Sequence, residues 1–136
     1  MDDSLAAKKI LDEGNICVLC YKGMVFTNNK KGILPLLEFL DSKFDFSMFS
    51  SAKKYVDRHE AILYVKLGIK DIYAEKITNE AIEVFTNNDI KYHYSELVDP
   101  TIDSYEYQFH EIIKNLCDID LQIQKLKEKI SELKEV

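Results

Sequence analysis

The sequence predicts an α/β protein: a three-layer domain on a mixed, mostly parallel sheet of about four or five strands, followed by a long C-terminal coiled-coil helix. Three observations carry this. Apolar runs of strand length, at 16–21, 69–75 and 90–94, are separated by segments with helical spacing of apolar residues. The first run is joined to a second, 24–27, by Lys22-Gly23, which reads as a hairpin turn. Beyond residue 100 the apolar residues recur in strict steps of three and four.

Taken in order, residues 5–13 form an amphipathic helix with Leu5, Ala6, Ile10 and Leu11 on one side, stopped at Gly14. Residues 16–21 and 24–27 are the hairpin, and 27–32 a polar loop. Residues 33–40 form a short helix that tolerates Pro35 in its first turn. The aromatic segment 44–49 is expected to pack across the domain, because three phenylalanines in a solvated loop are unfavourable, and 50–56 leads into the next helix. That helix, 57–68, has little polar face and is expected to be covered on most sides. A strand at 71–75 and a helix at 79–85 capped by Thr78 follow. Residues 90–94 alternate, placing a strand with one open side near a sheet edge. The expected order is α-β-β-α-α-β-α-β, with 1–100 as the α/β domain and 101–136 as the C-terminal helix.

That helix carries a heptad seam: Phe109, Leu116, Ile123 and Ile130 at a, and Ile112, Ile119, Leu126 and Leu133 at d. The seam predicts self-association, as a dimer or higher, through the C-terminal helix.

Net charge is −6, which argues against nucleic acid as a partner, since displacing counterions needs a basic footprint. No stretch is long and apolar enough to span a membrane, and Met1-Asp2-Asp3-Ser4 lacks the order of a signal peptide, so a cytoplasmic protein is expected. Cys17 and Cys20 form a Cys-x-x-Cys, but three residues apart on a strand they point to opposite faces and cannot jointly hold a metal or close a disulfide.

Asp57-Arg58-His59-Glu60 is the one compact cluster of these residue types. If the protein is an enzyme, His59 and Glu60, with Asp57, are the acid/base candidates, and Arg58 and His59 the ligand-binding ones. The same spacing has a structural explanation: Asp57 as N-cap and Glu60 three residues on make a capping box at the positive end of the helix dipole, with Arg58 and His59 at the domain rim. His93 falls on the polar side of an edge strand, and His110 outside the seam.

The stretches Gly32-Ile33-Leu34-Pro35-Leu36-Leu37, 57–68, Asp71-Ile72-Tyr73-Ala74-Glu75-Lys76-Ile77-Thr78, Ala81-Ile82-Glu83-Val84-Phe85 and Ile90-Lys91-Tyr92 resemble a family of bacterial and archaeal proteins known as domain of unknown function 1893. The resemblance runs over about residues 5–98 and implies a fold similar to that of the cytidine deaminases. Zinc deamination requires a His or Cys with a Glu in the first turn of one crossover helix and two Cys at the start of the next. Here the first helix offers His59-Glu60 and the second Thr78-Asn79-Glu80-Ala81, so no metal site and no cofactor are expected. Relatives tend to carry Gly-Lys where Asp57-Arg58 stands, and Asn-Arg and Cys-Pro after the last strand; in this chain the tail 103–136 stands in that place. The sequence therefore points to a non-catalytic oligomeric α/β protein with a small-ligand or protein-binding role. The alternative is a metal-independent enzyme acting on a nucleotide-like substrate through Asp57, Arg58, His59 and Glu60.

Overall fold

A computed structural model describes residues 3–99, 120, 121, 123–125, 127 and 128. The elements are α1 (Asp3–Asp12), β1 (Cys17–Tyr21), β2 (Met24–Asn28), α2 (Leu34–Asp41), β3 (Ser50–Val56), α3 (Arg58–Leu67), β4 (Asp71–Ile77), α4 (Asn79–Asn87) and β5 (Lys91–Leu97). The five strands make one sheet in the order β2-β1-β3-β4-β5. β1 is antiparallel to both β2 and β3, while β3–β4 and β4–β5 are parallel. The chain divides into two units, Met1–Asp99 and Pro100–Val136.

Alternation along the strands sends successive side chains to opposite faces. Val18, Cys20, Ala52 and Tyr73 pack with Ala7 and Leu11 of α1 on one face. The other face carries α2, α3 and α4 side by side, marked by Ser51 of β3 in contact with Tyr64 of α3. This is a three-layer α/β domain. The aromatic segment packs as expected at Phe46 and Phe49, which are buried, whereas Phe44 remains half exposed. α3 ends at Gly68 in the left-handed conformation (φ 77°), which a side chain would disfavour.

Two features correct the predicted fold class. The sheet is evenly mixed rather than mostly parallel, because residues 50–56 are a strand rather than a lead into α3. β3 lies at the centre of the sheet, between β1 and β4. Its sequence, Ser-Ser-Ala-Lys-Lys-Tyr-Val, hides this. Small side chains fit where helices cover both faces, and the polar ones are satisfied internally: Ser51 Oγ donates to the carbonyl of Val18 at 3.0 Å, and Lys53 Nζ to that of Tyr55 at 2.9 Å.

The second correction concerns the long C-terminal coiled-coil helix, which is not part of the observed architecture. In the tail, the described helical residues are confined to 120–128. Of the predicted oligomerisation positions only Ile123 is described; Phe109, Ile112, Leu116, Ile119, Leu126, Ile130 and Leu133, and also His110, lie outside the described residues. Ile123 is 7% exposed in the single chain. The physical reason for the error is that three-four spacing records an apolar stripe that needs cover. It fixes neither the helix length nor a second copy as the cover.

Candidate functional site

The Asp57–Glu60 cluster sits where β3 passes into α3, at the carboxyl ends of the parallel strands β3 and β4, the position at which open α/β sheets commonly bind ligands. Asp57 is extended (φ −108°) and caps α3, its Oδ1 accepting from the amide of Arg58 at 2.7 Å. The reciprocal half of the capping box is also present, with the amide of Asp57 3.4 Å from Glu60 Oε2. Asp57 Oδ1 further accepts from the hydroxyl of Thr78 at 2.8 Å, and that same hydroxyl oxygen accepts from the amide of Ala81 at 3.2 Å. One carboxylate thus caps α3 and holds the cap of α4. Both helix N-termini are tied together through buried groups, since Asp57 is 2% and Thr78 0% exposed.

Below this junction lies a buried charged group that draws on two elements, β3 and α3. His59 Nε2 is 2.7 Å from Glu60 Oε1, and Lys53 Nζ of β3 is 4.0 Å from Glu60 Oε2. His59 and Glu60 are both 0% exposed and Lys53 is 1% exposed. Burial pushes the Glu60 carboxyl up, but His59, Lys53, the hydrogen bond from His59 and the Asp57 amide together outweigh it and hold the group below the ordinary carboxylate range. Arg58 stands apart, half-buried at the rim, and its Nε has no hydrogen-bond partner among the described residues.

Under α3 a second polar group joins Cys17, Ser51 and Tyr64, with Tyr64 Oη 2.7 Å from Ser51 Oγ. Burial pushes the Cys17 thiol up to about 11, against the lowering influence of Lys53 and of hydrogen bonds with Tyr64 and Ser51. Burial likewise raises the Tyr64 phenol. Cys20 belongs to the core against α1, on the other face of the sheet. Cys17 and Cys20 are free and buried, and the third cysteine, Cys117, lies outside the described residues.

The sequence reading grouped Asp57, His59 and Glu60 and, in its structural explanation, set His59 at the domain rim, whereas His59 is fully buried; it missed Lys53, Thr78 and Tyr64 as their surroundings. Lys53 was legible only through the register of β3, in which 51 and 53 share a face. Thr78 was expected as the cap of α4, not as the partner of Asp57. Among the described residues no group of three His, Cys, Asp or Glu side chains is placed to hold a metal ion.

A separate cleft of about 400 Å³ opens on the α1 face, lined by Ser4, Leu5, Lys8, Tyr73, Lys91 and His93. Lys8 Nζ lies 5.3 Å from the centre of the Tyr73 ring, and the Tyr73 hydroxyl is hydrogen-bonded to Ser95. His93, expected on the solvated side of an edge strand, is exposed there. No described helix is long and apolar enough to cross a membrane.

Fold and site together define an α/β domain whose candidate acid/base residues, His59 and Glu60, are sealed beneath the helix caps. The chain belongs to the family described as TM1506, domain of unknown function (DUF1893), whose profile matches residues 6–134. The match therefore continues well past residue 98, into the tail. The chain is similar to the crystal structure of a DUF1893 family protein (TM1506) from Thermotoga maritima, with a TM-score of 0.79 at 19% identity over 95% of this chain and 91% of that one. At that identity the likeness speaks for the fold alone. No curated protein matches the sequence.

Proposed function

We propose that this chain is a non-catalytic binding domain on a deaminase-like scaffold, working in the cytoplasm and taking a small anionic ligand in the cleft beside α1. The observation that carries the non-catalytic reading is the complete burial of His59 and Glu60. A general acid or base must come within hydrogen-bond reach of the substrate, and a pair with no exposed surface does not. Capping and ion pairing account for the carboxylates of Asp57 and Glu60 without a substrate. The cleft is where a ligand can enter: its volume falls in the usual range for small-molecule sites, and Lys8 and Lys91 offer positive charge beside the Tyr73 ring.

The alternative, a metal-independent enzyme acting on a nucleotide-like substrate, is favoured by one observation, the part-exposed Arg58 in the first turn of α3, whose buried Nε has no hydrogen-bond partner among the described residues. Amide spectra recorded during titration with pyrophosphate and with adenosine monophosphate separate the two. Shifts centred on Lys8, Tyr73, Lys91 and His93 are expected. Shifts centred on Asp57 to Glu60 would favour the enzyme, and no shift at either place would refute the ligand class.

A further inference from the structure

The two edges of the sheet are built differently. β5 carries Lys91, His93 and Glu96, charged or ionisable side chains of the kind that keep an edge strand from pairing with another chain. β2, at the other edge, reads Met-Val-Phe-Thr-Asn. From Gly23 to Asn29 there is no charge and no proline, and its register against β1 runs without a bulge from Cys17↔Asn28 to Tyr21↔Met24. The strand is also apolar on both faces, and among the described residues it is only partly covered, Phe26 by the rings of Phe44, Phe46 and Phe49. Met24 and Val25 are each 45% exposed and Phe26 37%, with Phe44, packed 5.7 Å from the Phe26 ring, at 49%. An uncharged, unbulged, apolar edge of this kind, unpaired among the described residues, is unfavourable in a monomer.

We propose that β2 is an interaction surface for a second copy of this chain, paired antiparallel β2 to β2 about a two-fold axis, so that two five-stranded sheets join into one. The two-fold requires like faces to meet, so each residue lies opposite one of the same parity. Two registers then pair the apolar residues. Centred on Phe26, Lys22 would face Lys30 of the partner subunit, setting like charges opposite each other. Centred on Val25, Lys22 meets an asparagine, and the charge conflict is gone. In that register Val25 faces its own copy on the α1 side. On the other side Met24 and Phe26 face each other twice, a favourable sulfur–aromatic pairing. The strand is thus self-complementary, as an isologous contact demands, and the contact closes: each copy uses its β2 edge once, and the charged β5 edge stops further growth. This proposal stands on the edge strand alone and does not depend on the ligand reading.

The test places charge at the two-fold axis. Sedimentation of the full chain at tens of micromolar, roughly, is expected to show a dimer. Val25→Lys puts two lysines opposite each other and is expected to weaken association by about tenfold or more, while the melting temperature stays unchanged when both chains are compared diluted to the monomer, because position 25 is half exposed there. In Val25→Cys on a Cys117→Ser background, mild oxidation with glutathione disulfide is expected to yield a covalent dimer that the background chain does not form, since directly opposed residues across antiparallel strands lie within disulfide reach. A monomeric full-length chain overturns the proposal. So does a dimer indifferent to Val25→Lys, or a Val25→Cys chain that stays uncrosslinked while dimeric.

Discussion

Replacing Asp57 by alanine tests whether the cluster is a structural junction. Asp57 does two things at once. As N-cap of α3 it satisfies amides of the first turn, and losing such a cap costs about 1 kcal/mol. It is also the acceptor for the Thr78 hydroxyl at a buried position, and leaving a buried donor unsatisfied costs roughly 1–3 kcal/mol more. Asp57→Ala should therefore destabilise by about 2–4 kcal/mol, more than a solitary cap. Asp57→Asn keeps an oxygen for both partners and should cost markedly less. The assay is urea unfolding of the parent, Asp57→Ala, Thr78→Val and the double variant. A coupling of about 1 kcal/mol between the two sites is expected for groups that share a hydrogen bond. Additive effects, or an Asp57→Ala change within about 0.5 kcal/mol of the parent, would show that the junction is not energetically real.

Three further outcomes follow from the buried groups. Glu60 has a folded-state pKa held below its ordinary 4.5, so its contribution is complete above that value and is lost as pH falls through the lower folded one. Glu60→Gln should flatten the acid limb of stability measured between about pH 6 and 3, and should itself cost about 3 kcal/mol by leaving Lys53 without its carboxylate; an acid limb as steep as the parent's would refute this. Cys17 goes the other way: raised from 9.0 to about 11, it contributes stability that is full below pH 9.0 and lost as pH climbs toward about 11, roughly 3 kcal/mol in all. Native Cys17 should resist alkylation at pH 8 and react on unfolding, and Cys17→Ser should remove the first part of the alkaline decline; rapid native labelling at Cys17 would contradict its burial. Finally, α4 begins with Thr78 and Ala81 where a zinc deaminase needs its cysteines, so elemental analysis of purified chain should find no stoichiometric zinc, and one zinc per chain would overturn that expectation.

Much of the α/β domain was legible because its signals are local. The capping box of Asp57 and Glu60 depends on spacing along one turn, and so could be read without knowing what covers the helix. The stop at Gly14, the hairpin around Lys22-Gly23 and the cap at Thr78 are likewise properties of a few consecutive residues, and the edge position of β5 was written in its alternation. What the chain alone determined was therefore the presence and order of the helices, the hairpin, β4 and β5, and which faces are apolar, but not β3.

The tertiary structure decided the rest. β3 does not look like a central strand because its burial is made tolerable by partners distant in sequence: Tyr64 for Ser51, Glu60 for Lys53. His59 and Glu60 could have been a solvent-facing acid/base pair or a sealed one, and only the convergence of β3, α3 and the Thr78 cap shows that they are sealed. The apolar stripe of the tail could likewise be covered in more than one way, because periodicity specifies a face and says nothing about what meets it. Burial is a property of the assembled chain, and a function that depends on burial is read only after assembly.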